Sequence, residues 1–526
     1  MSTEIESEIG GNATAPQHND GRLDARVMVV AGVVVLGAVM SILDITVVAV
    51  AQRTFQETFG KTQAQVAWTA TAYTLALATV IPLTGWAADR FGTKRLYVLA
   101  IVLFTAGSAL CSTATSLEML VVFRVLQGLG GGMLMPLGMT ILTRAAGPER
   151  LGRVMAILGV PMLLGPIFGP ILGGWLIDVA SWRWIFLINV PIGIVAAIYA
   201  WRVLDRDEVH PSESFDFIGM LLLSPGLALF LYGVSSIPAA KQNHGTMFTA
   251  NVMVTSIVGI ALVIAFVPWA LRKRNIHPLV QLRLFTNRYM TVAVVTMTLF
   301  AIAFFGASLL FTLYFQQVRG ESPVMSGWLV APQGFGAMLT MPVAGFLADK
   351  IGPGKVVLTG LVLDTVGMGM LIPLDDQTSY AYIITAFVVM GLGMGSTMMP
   401  VFTAALASLK EHDVARGSTL MNITQQVGAS IGTALFSVLL TNAYNNHAGV
   451  VGPAVAIANG GDPAKLGIPA GKVQAILDQG QHFMGTAFGH VFLVATILVG
   501  LCLVPAAFLS RKPPEKAVDP SAMMVG

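Results

Sequence analysis

The sequence predicts an all-α integral membrane protein with fourteen spanning helices, and three observations carry this prediction. Of the 526 residues, 55% are hydrophobic and only 11% are charged, whereas soluble domains carry about 25% charged residues. The mean hydropathy is +0.75. The apolar residues form long runs of roughly 20 residues, the length at which a helix spans a bilayer, and they do not alternate as in a membrane β-barrel.

The order of these runs divides the chain into two similar halves with a pair of helices between them. Residues 1–26 are polar and acidic and predict a disordered cytoplasmic tail. Residues 27–204 hold six runs and residues 290–510 hold six more, which predicts two six-helix bundles. Residues 205–289 hold the two remaining runs between charged links, and we interpret them as an inserted helix pair. Residues 511–526 form a second cytoplasmic tail.

One long loop, residues 442–485, separates the last two spans and is predicted to lie outside the cell. Within it, residues 470–479 place Val473, Ile476 and Leu477 on one side of a short amphipathic helix. A disordered linker is the alternative interpretation of this segment.

A short polar segment between the second and third spans occurs twice in the chain. Residues 85–95 carry the pattern Gly-x-x-x-Asp-Arg-x-Gly, and residues 345–355 repeat it with Lys in place of Arg. The tendency of bases to stay in the cytoplasm would explain the charges, but not the repeated glycines and acid. The repeat favours a conformational role shared by two related halves, as in membrane transporters. We assign this role to a set that we call the latch residues. They are Gly85, Asp89, Arg90, Gly92, Lys94, Arg95 and Asp349 of the repeated segments, together with Arg416, the expected partner of Asp89.

The positions of the bases predict the orientation in the membrane. Most of the 30 Lys and Arg residues lie in one alternate set of loops, the set that contains residues 85–95. Because positively charged loops stay in the cytoplasm, we expect these loops and both termini there. The protein is then a multi-pass protein of the cytoplasmic (inner) cell membrane.

Three charged side chains lie inside spans, where a charge is costly and is therefore a functional candidate. Asp44 lies in the first span and Arg124 in the fourth. A buried carboxylate can take up and release a proton, whereas a buried Arg keeps its proton and can stabilise the carboxylate. We assign proton coupling to this pair. Asp364, in the eleventh span, is predicted to attract cations in a central cavity. Structural pairing of a buried charge is the alternative for all three.

Two spans carry polar stripes. In the fourth span, Arg124, Gln127 and Gly128 share one helical face, and in the thirteenth span Asn422 and Gln426 share a face with hydroxyl residues farther along. A polar stripe on a membrane helix either lines a cavity or joins helices. We predict substrate binding at Asp364, Asn422, Gln426 and Gln127.

The fifth span combines prolines with regularly spaced glycines. Its three prolines lie within residues 161–170 and remove backbone hydrogen bonds, which bends a helix. Glycines at every fourth position let a partner helix approach closely. We predict a rigid, kinked contact that seals one end of a pathway at the interface between the halves, with a passive kink as the alternative. The residues assigned to this contact are Gly165, Pro166, Gly169, Pro170, Gly173 and Gly174.

These segments resemble the signature motifs of the major facilitator superfamily. Residues 85–95 resemble its loop motif, Arg124-x-x-Gln127-Gly128 resembles its fourth-helix motif, and residues 165–174 resemble its antiporter motif. Leu43-Asp44-x-Thr46-Val47-Val48 resembles the first-helix motif of the fourteen-span drug:proton antiporters of the EmrB/QacA type. The resemblance covers almost the whole chain. It implies the major facilitator fold, with two six-helix bundles plus two inserted helices.

The resemblance also implies where the latch residues bind. In the superfamily, the loop after the second helix contacts the fifth helix of the opposite half, which is here the thirteenth span. Asp89 is therefore expected to contact residues 416–419 when the protein is open to the outside, and to separate from them when it is open to the inside. By the repeat, Asp349 is expected to face Gly152 and Arg153.

The function implied by the resemblance is that of a proton-coupled antiporter, which exports amphipathic, cationic drugs or toxic compounds by alternating access. Export of an endogenous lipid, siderophore or metabolite is the alternative. A membrane enzyme is not favoured, because the sequence shows no clustered acids at a membrane face, no nucleotide loop and no metal-ligand spacing. We expect no cofactor and no metal, since the proton gradient supplies the energy. The expected partners are a small amphipathic molecule, protons and membrane lipid, but not nucleic acid, and the protein is expected to be a monomer.

Overall fold

The fold is known from a computed structural model. It describes residues 24–61, 63–147, 150–205, 214–410, 413–445, 447–458 and 468–513. Most of the two predicted tails, part of the link 205–216 and part of the loop 442–485 lie outside the described residues. The described chain consists of helices joined by short turns, which confirms the all-α prediction.

Fourteen helices, numbered in chain order, make up most of the molecule. They are α1 (Ala25–Val50), α2 (Trp68–Phe91), α3 (Thr93–Ser112), α4 (Leu117–Ala146), α5 (Leu151–Val179), α6 (Trp184–Val203), α7 (Phe217–His244), α8 (Ala250–Leu271), α9 (Arg288–Gln317), α10 (Pro323–Ile351), α11 (Pro353–Gly369), α12 (Tyr380–Leu406), α13 (Val414–Asn445) and α14 (Val473–Ala506). Short helical segments are Gln52–Phe59, Gln63–Val66, Leu282–Thr286 and Ala448–Ala458. Twelve of the described helices are long and apolar enough to cross a membrane. With α5 and α11 added, the arrangement is compatible with fourteen spans.

The repeated segment ends one helix and begins the next in both halves. Gly92, between α2 and α3, has a φ of +91°, and Gly352, between α10 and α11, has a φ of +96°. Glycine adopts such angles without steric strain, which explains why the pattern ends on glycine. We call the end of the molecule that carries residues 85–95 and 345–355 the basic end.

The two halves meet through two matching pairs of helices. Helix α2 packs against α13, and α5 packs against α10. Helices α7 and α8 pack against each other, and α7 also contacts both α2 and α13. The division of the chain near residues 204 and 290 stays a prediction, because α7 is in contact with both halves.

The loop after α13 differs from the expectation in two ways. Residues Ala448–Ala458 form an unpredicted helix, which packs on α14 with Val451 and Ala454 buried. The expected amphipathic segment is not a separate helix, because a 3-10 turn at Ala470–Lys472 leads directly into α14. Gly480 lets the first turns of α14 pack closely on Ala454, and this contact continues the helix into the loop region.

Candidate functional site

A buried ion pair lies between α1 and α4. Arg124 and Asp44 are only 1% and 2% exposed. Arg124 Nη1 donates to Asp44 Oδ2 and also to Gln127 Oε1, the second at 2.8 Å. Gln127 Nε2 donates in turn to Asp44 Oδ1 at 2.7 Å. The three side chains therefore form a closed ring of hydrogen bonds around the two charges.

Groups from α2 and α6 add further support to the pair. Arg124 Nε donates to the carbonyl oxygen of Thr69 at 3.0 Å, and its guanidinium lies 4.2 Å from the centre of the Tyr73 ring. Asn189 Nδ2 lies 3.5 Å from Asp44 Oδ1. Burying an ion pair is tolerable only when the remaining donors and acceptors are also satisfied. Each charge here has several polar partners, so this condition is met.

Two glycines bring α4 close enough to its neighbours for these contacts. A Cβ at Gly128 would lie 2.6 Å from the carbonyl oxygen of Tyr73 on α2. A Cβ at Gly107 of α3 would lie 2.6 Å from the backbone nitrogen of Gln127. Because packed interiors have no spare space, a larger residue at either position would move α4 and separate Arg124 from Asp44.

The structure brings together the two residues predicted for proton coupling, and it adds others that the sequence did not single out. Gln127 is fully buried in the ring of hydrogen bonds, and its contact with substrate stays a prediction. Tyr73 and Asn189 were missed. Their only signal in the sequence is a phenol and an amide within apolar runs, which also fits ordinary packing. The coupling role of Asp44 and Arg124 stays a prediction.

The first latch contact joins α2 to α13 at the basic end. Asp89 Oδ2 lies 3.3 Å from Arg416 Nε. The hydroxyl oxygens of Thr84 and Thr419 are 3.1 Å apart. A Cβ at Gly85 would lie 3.3 Å from Thr419 Oγ1, so glycine permits the close approach of the two helices. The structure thus brings Asp89 to the helix end that was expected to receive it.

The second latch contact repeats this arrangement between α10 and α5. Asp349 Oδ1 accepts a hydrogen bond from the Gly152 backbone N–H at 2.8 Å. Its Oδ2 accepts from Arg153, through the backbone N–H at 3.3 Å and through Nε at 3.1 Å. The first N–H groups of a helix lack partners within the helix and carry partial positive charge. A carboxylate at this place satisfies both features and contributes about 1 kcal/mol.

The other latch residues shape the turn after α2. Lys94 Nζ donates to the carbonyl oxygen of Leu204, which fastens the start of α3 to the end of α6. Arg95 is exposed and Arg90 is half-buried. Gly92 supplies the positive φ between the two helices. Any role of these residues in a conformational change stays a prediction.

Two of the predicted substrate residues lie where α13 meets the first half. Asn422 Nδ2 lies 3.4 Å from Met139 Sδ of α4. Gln426 borders a small cavity that is also lined by Ala78 of α2 and Leu231 of α7. Both side chains are therefore placed between the two halves of the molecule.

Comparison with known proteins shows the family to which this arrangement belongs. The model of the Major Facilitator Superfamily matches residues 34–433. The chain belongs to the major facilitator superfamily. This confirms the family that the motifs predicted, and it identifies the chain as a multi-pass membrane transporter rather than an enzyme.

Relatives within the superfamily extend over most of the chain. It is 50% identical to "Multidrug resistance protein B homolog" of Mycobacterium tuberculosis over 503 residues, which cover 93% of this chain and 91% of the relative. It is 31% identical to "Multidrug export protein EmrB" of Haemophilus influenzae over 415 residues, which cover 78% of this chain and 80% of that protein. The crystal structure of the human organic anion transporter MFSD10 (TETRAN) is similar, with a TM-score of 0.58 over 90% of this chain and 99% of that chain. Its sequence identity is 13%, so this likeness shows the superfamily fold alone.

The glycines of the superfamily's antiporter motif contact a different helix from the expected one. A Cβ at Gly169 would lie 2.5 Å from Thr46 Cβ on α1, which is too close for any side chain. The contacts between α5 and α1 pair Gly165 with Ile42, Gly169 with Thr46 and Gly173 with Val47. The stripe therefore packs α5 within the first half, and its predicted place at the interface between the halves is corrected. Glycine spacing shows that some helix approaches closely, but not which helix does.

Other glycines of α5 form the contact with the second half. A Cβ at Gly345 of α10 would lie 2.6 Å from the carbonyl oxygen of Gly152. Within the described part of the chain, no atom lies within 4 Å of a Cβ built on Gly174, so close packing does not explain that residue. The side chains of Pro166 and Pro170 lie outside the described residues.

Asp364 lies inside the second half rather than between the halves. It is fully buried on α11, and its Oδ2 accepts a hydrogen bond from Thr397 Oγ1 of α12 at 3.3 Å. A Cβ built on Gly393 of α12 would lie 2.8 Å from Asp364 Cγ, so α12 covers the carboxyl group closely. Among the described residues, Asp364 Oδ1 has no hydrogen-bond partner. The predicted cation contact in a central cavity is therefore corrected, because this face of α11 is turned towards α12.

Proposed function

We propose that the protein is a proton-coupled antiporter, which exports amphipathic, cationic drugs or toxic compounds by alternating access. The observation that carries the proposal is the buried Asp44–Arg124 ion pair. It places an acid that can bind a proton inside the membrane-spanning bundle of a transporter. The relatives named for multidrug resistance and multidrug export support drugs as the class of substrate.

The ion pair supplies a physical basis for coupling. When a proton binds Asp44, the negative charge opposite Arg124 is lost and the net charge of the pair rises by one. Arg124 then retains Gln127 Oε1, the Thr69 carbonyl oxygen and the Tyr73 ring as partners. A cationic substrate is attracted by the deprotonated pair more than by the protonated one, since Coulomb interactions are strong at low dielectric. Proton and substrate therefore compete, as exchange requires.

The latch contacts provide a basis for the conformational change of the transport cycle. In transporters of this kind, one half rocks against the other around a central site. The contacts of Asp89 with Arg416 and of Asp349 with Gly152 hold the basic ends of the halves together. We propose that the basic end faces the cytoplasm. The arrangement seen here is then the outward-facing conformation of the transport cycle, from which substrate leaves and into which protons enter.

Purified protein in liposomes with an imposed pH gradient tests the proposed function. We expect each addition of a cationic dye to cause proton movement across the membrane, followed with a pH-sensitive probe enclosed in the liposomes. Liposomes without protein are the control. If no cationic dye moves protons but a lipid or metabolite does, the substrate class is wrong and the endogenous exporter is correct. If nothing moves protons, coupling itself is contradicted.

A cysteine pair at positions 84 and 419 is expected to trap the basic end in its closed form. The two hydroxyl oxygens are 3.1 Å apart, so sulfur atoms in their place start about 1 Å beyond the length of an S–S bond. The variant is Thr84→Cys with Thr419→Cys, made after Cys111 and Cys502 are replaced by Ala. We expect oxidation to stop dye transport and reduction to restore it. Each single cysteine variant is a control. Full transport by the crosslinked protein would show that α2 and α13 do not separate during the cycle.

Asp364→Asn is expected to leave the selectivity for charged substrates unchanged. The carboxyl group is enclosed by α12, and Asn keeps its size and an oxygen that can accept from Thr397. The measurement is the growth of cells in matched cationic and neutral dyes, with the variant and the wild type expressed at equal levels. A selective loss of resistance to the cationic dyes would return Asp364 to the substrate site.

A further inference from the structure

An apolar cavity of about 350 Å³ lies between the inserted helix pair and the second half. Its wall includes Leu227 of α7, Val263 of α8, Ile423 of α13 and Phe285 of the turn before α9. The two hydroxyl residues in the wall are Thr298 and Thr424, and each donates to a carbonyl oxygen of its own helix at 2.8 Å. The hydroxyl donors are therefore already used within their own helices, and a cavity with an otherwise apolar wall favours an apolar occupant over water.

The cavity opens sideways, towards the membrane. Ile260 and Ile264 of α8, which belong to its wall, are 43% and 62% exposed, and Phe285 is 38% exposed. In a spanning helix such residues contact lipid. The occupant can therefore enter directly from the bilayer, without passing through the space between the two halves.

Four bases lie at the basic end of this opening. Arg272, Lys273 and Arg274 follow α8 directly, and Arg283 stands in the turn between two residues of the cavity wall. All four are exposed. Arg283 Nη2 lies 3.4 Å from the carbonyl oxygen of Arg272, which holds the two segments at the same rim. We call these four residues the basic cluster.

Asp216, the acid near the basic cluster, is bound by neutral donors and does not neutralise the cluster. Asp216 accepts four hydrogen bonds, from Gly219 N at 2.8 Å, Trp269 Nε1 at 2.7 Å, Asn275 Nδ2 at 3.2 Å and Leu279 N at 3.1 Å. It thereby fixes the link after α8 against the start of α7. In the described part of the chain, no carboxylate forms an ion pair with a member of the basic cluster. The cluster is therefore positive, and the backbone beside it is held in place by Asp216.

We propose that this cavity and the basic cluster form a binding site for an anionic phospholipid of the surrounding bilayer. One acyl chain fills the cavity, and the phosphate lies at the basic cluster. Basic pockets between membrane helices bind anionic headgroups, with about 1 kcal/mol for each Lys or Arg near the surface. The acyl chain adds the free energy of apolar contact. A cationic amphiphile would be repelled by the cluster, so this site is separate from the proposed substrate pathway.

Native mass spectrometry of the detergent-purified full chain tests this site. The probes are phosphatidylglycerol and phosphatidylcholine with identical acyl chains, and the measurement is the dissociation constant of the first bound lipid. We expect the wild type to bind phosphatidylglycerol more tightly. Arg272→Gln with Arg283→Gln should weaken its binding roughly 10- to 30-fold, as two bases at about 1 kcal/mol each imply. The matched control, Lys410→Gln with Lys512→Gln, removes two exposed bases elsewhere at the basic end and should have little effect.

A second pair of variants tests the cavity. Ile264→Trp fills the mouth of the cavity and should weaken the binding of both lipids. Ile257→Trp is its control, because Ile257 is equally exposed to lipid on α8, at 59%, but does not line the cavity. Equal affinity of the wild type for the two lipids would overturn the proposal, as would unchanged binding in Ile264→Trp. A neutral lipophilic dye that displaces phosphatidylglycerol, and that binds equally well without Arg272 and Arg283, would identify the occupant as a dye and overturn it too.

Discussion

Asp44→Asn is expected to abolish proton-driven export. The substitution keeps the shape of the side chain but removes the only acid that contacts Arg124 among the described residues. Asn cannot exchange a proton near neutral pH, so proton uptake can no longer change the charge of the pair. The measurement is dye transport in liposomes with an imposed pH gradient, where we expect the rate to fall to that of empty liposomes. Asp178→Asn, which changes an exposed acid at the end of α5, is the matched control.

The same substitution should also lower the stability of the protein, and this separates folding from coupling. Removing one partner of a buried ion pair leaves a buried charge without compensation, which costs about 3–5 kcal/mol in soluble proteins. Arg124 keeps its contacts with Gln127, Thr69 and the Tyr73 ring, so we expect a cost below that range. The double variant Asp44→Asn with Arg124→Gln removes both charges. It should recover thermal stability but not transport. Proton-driven transport at the wild-type rate in any folded variant without Asp44 would exclude this residue from the mechanism.

Helix α2 links the ion pair to the latch. Its first turns supply the Thr69 carbonyl oxygen and the Tyr73 ring to Arg124, and its last turns carry Asp89, which contacts Arg416. Because one helix carries both sets of contacts, a movement of its first turns can reach its last turns, past the proline at Pro82. A change in the Arg124 contacts on protonation of Asp44 can therefore bias the contact of α2 with α13. The crosslink between positions 84 and 419 tests the second part of this connection.

The sequence predicted the features that depend on local chemistry. The length of the apolar runs predicted the helices, and the cost of a charge in a bilayer singled out Asp44 and Arg124, which the structure places in contact. The repeated segment, read with the superfamily resemblance, predicted the contacts of Asp89 and Asp349. These predictions have the same physical reason. Each concerns a charged side chain that needs a polar or charged partner, either within the bundle or at a helix end.

Features that depend on the arrangement of helices could not be predicted. Asp364 and Asp44 are both acids within spans, and only the bundle decides that Asp364 faces α12 inside one half. Gln127 lies on a polar stripe, but the stripe is turned towards Asp44 and not towards a cavity. In both cases the sequence identified a polar face without identifying the neighbour of that face. The same limit applies to the glycines of α5.

Gly169→Leu is expected to lose transport almost completely, for a reason that differs from the one the sequence suggested. A side chain at this position would overlap Thr46 of α1, where a Cβ would already lie 2.5 Å from Thr46 Cβ. Overpacking of a close contact typically costs about 1–3 kcal/mol and shifts the backbone. Thr46 lies two residues after Asp44, so the displacement of α1 would also pull Asp44 away from Arg124 and Gln127. We therefore expect loss of proton coupling together with lower thermal stability.

The matched control for Gly169→Leu is five residues farther along the same helix. Gly174 has open space around a built Cβ among the described residues, so Gly174→Leu should keep both transport and stability. Gly169→Ala should fall between the two, and adding Thr46→Gly to it should restore part of the transport, because the overlapping atoms are then removed. The measurements are dye transport in liposomes and the thermal unfolding midpoint in detergent. Equal transport by Gly169→Leu and Gly174→Leu would show that close packing of α5 on α1 is not needed to hold Asp44 against Arg124.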